Sequence, residues 1–280
     1  MKIIADEDKE LIDVLAQMSK ESSRNTLRSW LKAERVRVDE RIVKMASSPV
    51  KKGQTVSVGE RKKIIAGGLH ILYEDRHIVV IDKPEGVLSV ATNFQTDETA
   101  HAFLKDHFRP GKVHVVHRLD QDTSGVMLFA LSDEARDELK AAFEKHAMER
   151  SYTAVVDGLL DPSSGTWQSY LYEDANYVVH STEDQKKGRL AITHYTVMRA
   201  SRSRCLLGLK LETGRKNQIR VHCQDAGCSI VGDKKYGGSI GPTKRLCLHA
   251  NVLGFAHPIT QRPMRFESPI PEAFLQMLSP

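Results

Sequence analysis

The stretch VVHRLDQDTSGVMLFA, residues 115–130, holds two apolar, strand-like runs separated by the polar tract HRLDQDTSG. Short apolar runs bounded by turn residues read as strands. The tract between them bends the chain and leaves Asp120 between Arg118 and a second acid, Asp122. Similar runs lie on both sides. ILYEDRHIVVIDKP reads as two strands about a polar turn, KVHVV and VMLFAL as two more, and YTAVVDG, LAITHYTVM, RCLLGLKLE and LCLHANVLGF continue the series. Helices are expected at 99–108, at 132–148 behind a Ser cap and an acidic first turn, and at 216–226, closed by Gly227 at a C′ position. These elements do not alternate as regular βαβ units. The expected fold class is α+β, a mixed, largely antiparallel sheet with flanking helices, plus a small amino-terminal α/β module.

The module reads from the first 60 residues. Leu11, Val14, Leu15 and Met18 follow the spacing of an amphipathic helix, and Ser22 and Ser23 stand where a second helix needs its cap. In SSRNTLRSWLKAER the residues Leu27, Trp30 and Leu31 form one apolar stripe, with Arg24, Arg28, Lys32 and Arg35 as a basic ridge beside it. VRVDERIV, turning at Asp39-Glu40, and VKKGQTVSV complete the unit. The tract GERKKIIAGG marks a linker, so the expected divisions are 1–60, a linker at 61–69, and a larger domain at 70–280.

The formal net charge is +5, and residues 1–65 hold all of it, with 15 Lys/Arg against 10 Asp/Glu. A basic module on a neutral body suggests an anchor for a polyanion. The amino terminus has no signal-peptide pattern and no apolar run reaches bilayer length, so a cytoplasmic protein with a nucleic-acid partner and no membrane is expected. On charge alone the ridge reads equally as a solvated face. Cys205, Cys223, Cys228 and Cys247 form no CxxC pair and are expected as reduced core thiols, with no metal. No GxxxxGK[ST] loop, HExxH or GxSxG is present, which leaves nucleotide hydrolysis, zinc proteolysis and serine hydrolysis without local support.

Asp120 and Asp122 would face opposite sides of a strand, which gives little support to a paired acid/base. A lone carboxylate can serve as nucleophile or base if a nearby cation keeps it ionised where water is scarce. The same tract also fits a polar hairpin with a surface Arg118–Asp120 pair. A second tract, LETGRKNQIRVHCQDAGCSIVGDKKYG, brings Arg215, Lys216 and Arg220 to the expected start of a helix, where free amides also favour an anion; a solvated basic face is the alternative.

Together these residues resemble the RluA family of RNA pseudouridine synthases. HRLDQDTSG is similar to the signature HRLDxxTSG, and LYEDRHIVVIDKPEGVLS, RSYTAVVDG, AITHYTV, LETGRKNQIRVH with IVGDKKYG, and LHANVLGFAHP resemble the other family motifs in order across 70–260. Residues 8–58 more weakly resemble the αL RNA-binding module named after the fourth small-subunit ribosomal protein. The resemblance implies that Asp120 is the essential carboxylate, acting at the anomeric carbon, at the base or by promoting a glycal. It implies that Tyr152 stacks on the flipped base and helps a later proton transfer, and that Arg220 pairs with Asp120. For Tyr152, a core aromatic on a strand is the reading without the resemblance. Arg118, Arg215, Lys216, Gln218 and Lys83 are carried over as RNA or substrate contacts, with Arg24, Arg28 and Lys32 of the ridge added to them. Isomerisation needs no cofactor, and none is expected. The chain departs from the family pattern at Lys216-Asn217, where Thr-His is usual, and at Arg150, where Lys is common. The expected partner is structured RNA, large-subunit rRNA ahead of tRNA, bound by a monomer. A non-catalytic RNA-binding or ribosome-assembly protein of the same fold is the rival reading.

Overall fold

The computed structural model describes residues 1–59, 63–92 and 97–278. Arg61 and Lys62 of the expected linker lie outside them. The chain forms two compact units, Met1–Lys63 and Ile64–Pro280.

In the smaller unit, helices α1 (Leu11–Met18) and α2 (Arg24–Lys32) accompany a four-stranded antiparallel sheet ordered Lys2–Ile4, Thr55–Val58, Val36–Val38, Arg41–Ile42. The Ser23 hydroxyl caps α2 by accepting the Thr26 N–H at 3.2 Å. Leu27, Trp30 and Leu31 are buried against Leu11, Val14 and Leu15, so the apolar stripe is the core face, each large side chain contributing about 1.5–3 kcal/mol. Asp39 and Glu40 make the expected turn, at φ 45° and 66°.

The larger unit is built on one long sheet. Its strands run in the order Val179–Thr182, Ser164–Glu173, Arg189–Ala200, Arg204–Leu211, Glu149–Asp157, Leu248–Ala256, Ser124–Ala130, Ile78–Lys83, His70–Glu74. Ser124–Ala130 runs parallel to Leu248–Ala256, and the other neighbours in this order are antiparallel. The period of two along a strand explains how its central part is buried on both faces. Val79, Ile81, Met127 and Phe129 face one side, where Ala100 and Leu104 of α3 (Ala100–His107) cover them. Ile78, Val80, Val126 and Leu128 face the other, under Ala135 and Leu139 of α4 (Asp133–Glu144). Ile219 and Cys223 of α5 (Gln218–Asp225) pack on the half of the sheet formed by Glu149–Asp157 and Arg204–Leu211. All four cysteines are free and buried. Among the described residues no helix is long and apolar enough to cross a membrane.

Three expectations change. The helix expected over 132–148 ends at Glu144, because His146 takes φ 55° and the chain turns into the strand beginning at Glu149. The helix expected from 216 starts at Gln218, because Asn217 lies in the left-handed region. Of the run before the polar tract only His114–Val115 pairs, opposite Ala130 and Phe129.

Candidate active site

The polar tract becomes a tethered loop leading into Ser124–Ala130. The Thr123 N–H donates to the Asp120 carbonyl at 3.1 Å and closes a tight turn. The segment after Lys83 fastens the loop from one side. The buried Ser89 hydroxyl donates to the Leu119 carbonyl at 2.6 Å and accepts the Leu119 N–H at 3.0 Å, while Gln121 Nε2 donates to the Gly86 carbonyl at 3.1 Å. From the other side, His117 Nε2 accepts the Leu128 N–H at 2.9 Å, and burial, with the Arg150 charge, pushes the imidazole down to about 3. Neutral His117 is thus a fixed acceptor.

Lys83 corrects the expectation of an RNA contact. It is fully buried, and its ammonium donates to the carbonyls of Pro84, Val87 and Gln121 at 2.9, 2.7 and 3.0 Å. Three donors meet three acceptors, so none remains for a ligand. Burial pushes the amine down to about 8, against the pull of Asp122 and Asp120. Lys83→Met should therefore cost about 2–4 kcal/mol in urea unfolding, since it orphans three carbonyls; an unchanged midpoint would refute the role.

Asp120 lies in a cleft of ≈ 520 Å³ whose lining includes Arg118, Tyr152, Arg215 and Arg220. Arg220 Nη1 is 3.6 Å from Asp120 Oδ2. The stronger bonds of Arg220 go elsewhere: Nε and Nη2 fork onto both oxygens of Asp233, at 2.7 and 2.8 Å. Asp233 is buried and also accepts the N–H groups of Lys235 and Tyr236 at 3.1 and 3.0 Å. Arg220 is thereby aimed by one acid and faces another. Burial pushes the Asp120 carboxyl above its usual range, against Arg220 and Arg118. Tyr152 sits at a bulge in Glu149–Asp157, packed between two parts of the core, and burial pushes its phenol up to about 12.

The remaining expected contacts divide. Arg118 is exposed at the cleft, and Arg215 is half-buried with Nε donating to the Leu190 carbonyl at 3.0 Å. Lys216 is exposed and paired with Glu173. Gln218 is a second correction: it is buried, its Oε1 accepts from Thr213 Oγ1 and the Arg215 N–H, and its Nε2 donates to the Ile192 carbonyl and Thr193 Oγ1. It braces the start of α5 and has no donor to spare for RNA. Asp122 is exposed at a second cavity of ≈ 520 Å³ that shares Arg118, Asp120, Lys216, Asn217 and Arg220 with the first. In the smaller unit Arg24, Arg28 and Lys32 are exposed, and Arg24 pairs with Asp13 at 3.0 Å.

Residues 77–225 match the family model of RNA pseudouridylate synthases, and residues 11–56 that of the S4 domain. The ribosomal large subunit pseudouridine synthase D of Pseudomonas aeruginosa is 35% identical, over 96% of this chain and 91% of its own. That of Haemophilus influenzae is 31% identical, over 96% and 90%. The chain belongs to the RluA family of pseudouridine synthases. It is therefore an isomerase, one that carries an S4 RNA-binding domain. The human RNA pseudouridylate synthase domain containing 4 shares the fold of the synthase, with a TM-score of 0.61 at 24% identity over 74% of this chain and 91% of its own.

The synthase holds residues that the reading of the sequence missed. Asp233 lies in the tract read above for its bases, and an acid thirteen residues after an arginine carries no local signal of pairing. Lys234, Lys244 and Arg245 line the second cavity and extend the cationic wall beyond Arg118. Of these, Lys234 had a signal, since GDKKYG stands out as a basic loop.

Proposed function

We propose that the synthase isomerises uridines of large-subunit ribosomal RNA, with Asp120 as the essential carboxylate acting on a uridine flipped out of its stack. The observation that carries this reading is the half-buried Asp120 in a cationic cleft, 3.6 Å from Arg220, with Tyr152 in the same lining. The relatives from Pseudomonas aeruginosa and Haemophilus influenzae, whose names specify the large ribosomal subunit, support the choice of RNA.

The chemistry asks for little beyond these groups. The N1–C1′ bond breaks, the uracil turns, a C5–C1′ bond forms, N1 gains a proton and C5 loses one, so atoms and electrons balance without an added reagent. Asp120 has to be ionised to act, whether at the sugar or at the base. Because its carboxyl titrates high, activity should fall with decreasing pH through a midpoint above that of an ordinary aspartate. Tyr152, whose phenol keeps its proton, offers an aromatic face to the extruded base and can relay the C5 proton only by passing on its own. Extrusion costs about a few kcal/mol, which stacking and backbone contacts offset. Arg118, Arg215 and Lys216 supply cations for that purpose.

Residues 1–60 would act as the RNA-binding module and 70–280 as the catalytic domain. If the exposed ridge touches phosphates, replacing Arg24, Arg28 and Lys32 with Ala should flatten the salt dependence of RNA binding by about 0.7–0.9 log unit per lost contact; an unchanged slope would leave the ridge a solvated face. The reading as a whole is tested by tritium release from uracil-C5-labelled RNA. Release from large-subunit rRNA, with the same uridine unmodified in a deletion strain, is the expected result. Release from tRNA alone would overturn the choice of RNA.

A further inference from the structure

Asp120 has a second neighbour. Asn217, immediately before α5, is 7 % exposed and held at φ 53°, ψ 18°. One end of its amide faces both Asp120 oxygens, at 2.7 and 3.2 Å, and the other faces the Tyr236 hydroxyl at 3.0 Å. An ionised carboxylate can only accept, so its two oxygens at 2.7 and 3.2 Å outweigh the Arg220 Nη1 donor at 3.3 Å from the same end: the nitrogen is the end at Asp120 and the amide oxygen takes the phenolic proton. Tyr236 is itself buried, and its oxygen accepts the Val179 N–H at 3.2 Å. Donation thus runs in one direction, from Val179 through Tyr236 and Asn217 to Asp120.

We propose that Asn217 is a positioning residue of the synthase: its amide, anchored by Tyr236, fixes the Asp120 carboxylate and steadies its ionised form. This rests on the reading of Asp120 as the essential carboxylate. Arg220 alone does not fix it, because its fork is committed to Asp233 and the nitrogen nearest Asp120 stands at 3.6 Å. The shorter amide contact supplies direction without charge. One segment backs both supports, since Asp233 holds Arg220 and Tyr236 holds Asn217. The backbone adds its own selection: Asn, Asp and His are the non-glycine residues enriched at positive φ. Asn217 stands where the family resemblance leads one to expect His, and both side chains can donate a hydrogen bond from that backbone.

The titratable and charged groups around Asp120 are Arg118 of its own loop, Lys83, Tyr152, Arg220, Asp233 and Tyr236. All are left intact by Asn217→Asp, which keeps shape and backbone preference but replaces the donor with a second acid. Single-turnover tritium release measured against pH should then show the acid limb moved up by about one unit or more, as expected when like charges share a site. The rate at neutral pH should drop about tenfold, with KM for RNA changed less than about twofold. Asn217→His should restore a limb close to that of the native protein, and Tyr236→Phe should shift it in the direction of Asn217→Asp by less. A profile for Asn217→Asp that superimposes on the native one, or equal displacement by Asp and His, would overturn the proposal. Asp120→Asn in the same assay separates the two readings. An active Asp120→Asn defeats the assignment of Asp120 itself, whereas an inactive one beside an unshifted Asn217→Asp defeats only the role of Asn217.

Discussion

Asp120→Asn should leave a folded protein whose tritium release from RNA is lower by about a thousandfold or more, the loss that the proposed role of its carboxylate demands. The substitution changes shape very little. Arg220 keeps its fork on Asp233, so the neighbouring cation stays in place. Stability moves the other way, and the sign follows from linkage. Burial raises the carboxyl in the folded chain, so the ionised form costs stability at neutral pH, and a neutral amide removes that cost. The expected pair of results is a thermal midpoint equal to or above that of the native protein together with lost turnover. Loss of both would mean that Asp120 is needed for folding, and retention of turnover would remove it from the chemistry.

The second large effect concerns Gly125, in the same tract. Its φ is 118°, and a Cβ built there would lie 2.1 Å from the Ala250 carbonyl oxygen. The obstacle is backbone of the parallel neighbour strand, which cannot swing aside. Gly125→Ala should destabilise the larger unit by more than about 4 kcal/mol, read as a collapse of the urea midpoint or of soluble yield. Gly227→Ala is the matched control: φ is 70° there, but nothing lies within 4 Å of an added Cβ. Its cost should be about 1–2 kcal/mol, that of left-handed backbone alone. Equal midpoints for the two variants would refute the close approach at Gly125.

Much of this fold is legible in residue order because local and tertiary demands agree. Leu11, Val14, Leu15, Leu27, Trp30 and Leu31 are spaced for burial and are buried, and Thr99 and Ser132 sit before α3 and α4 and cap them. The strand Ser164–Glu173 was passed over, since SGTWQSYLYE alternates half-buried aromatics with polar residues and lacks an apolar run. Pro263–Glu267, a five-residue strand on Leu248–Ala256, escaped for the same reason. In the cleft, the family resemblance singled out Asp120, Arg220 and Tyr152, and all three line it. The carry-over failed at Lys83, where sequence cannot reveal that three backbone carbonyls converge on a buried amine. Residue order was equally silent about Asp233 and Tyr236, whose partners Arg220 and Asn217 are brought to them by the fold.

Ala250 lies in register with Gly125 on one side and with Tyr152 on the other. One residue of one strand therefore sets the lateral interval between the loop of Asp120 and the aromatic, about 10 Å across two strand spacings. Asp120, Tyr152 and Arg220 all precede residue 240, whereas the strip between the first two follows it. The spacing is thus a property of the sheet as a whole, complete only when Leu248–Ala256 lies between its two neighbours.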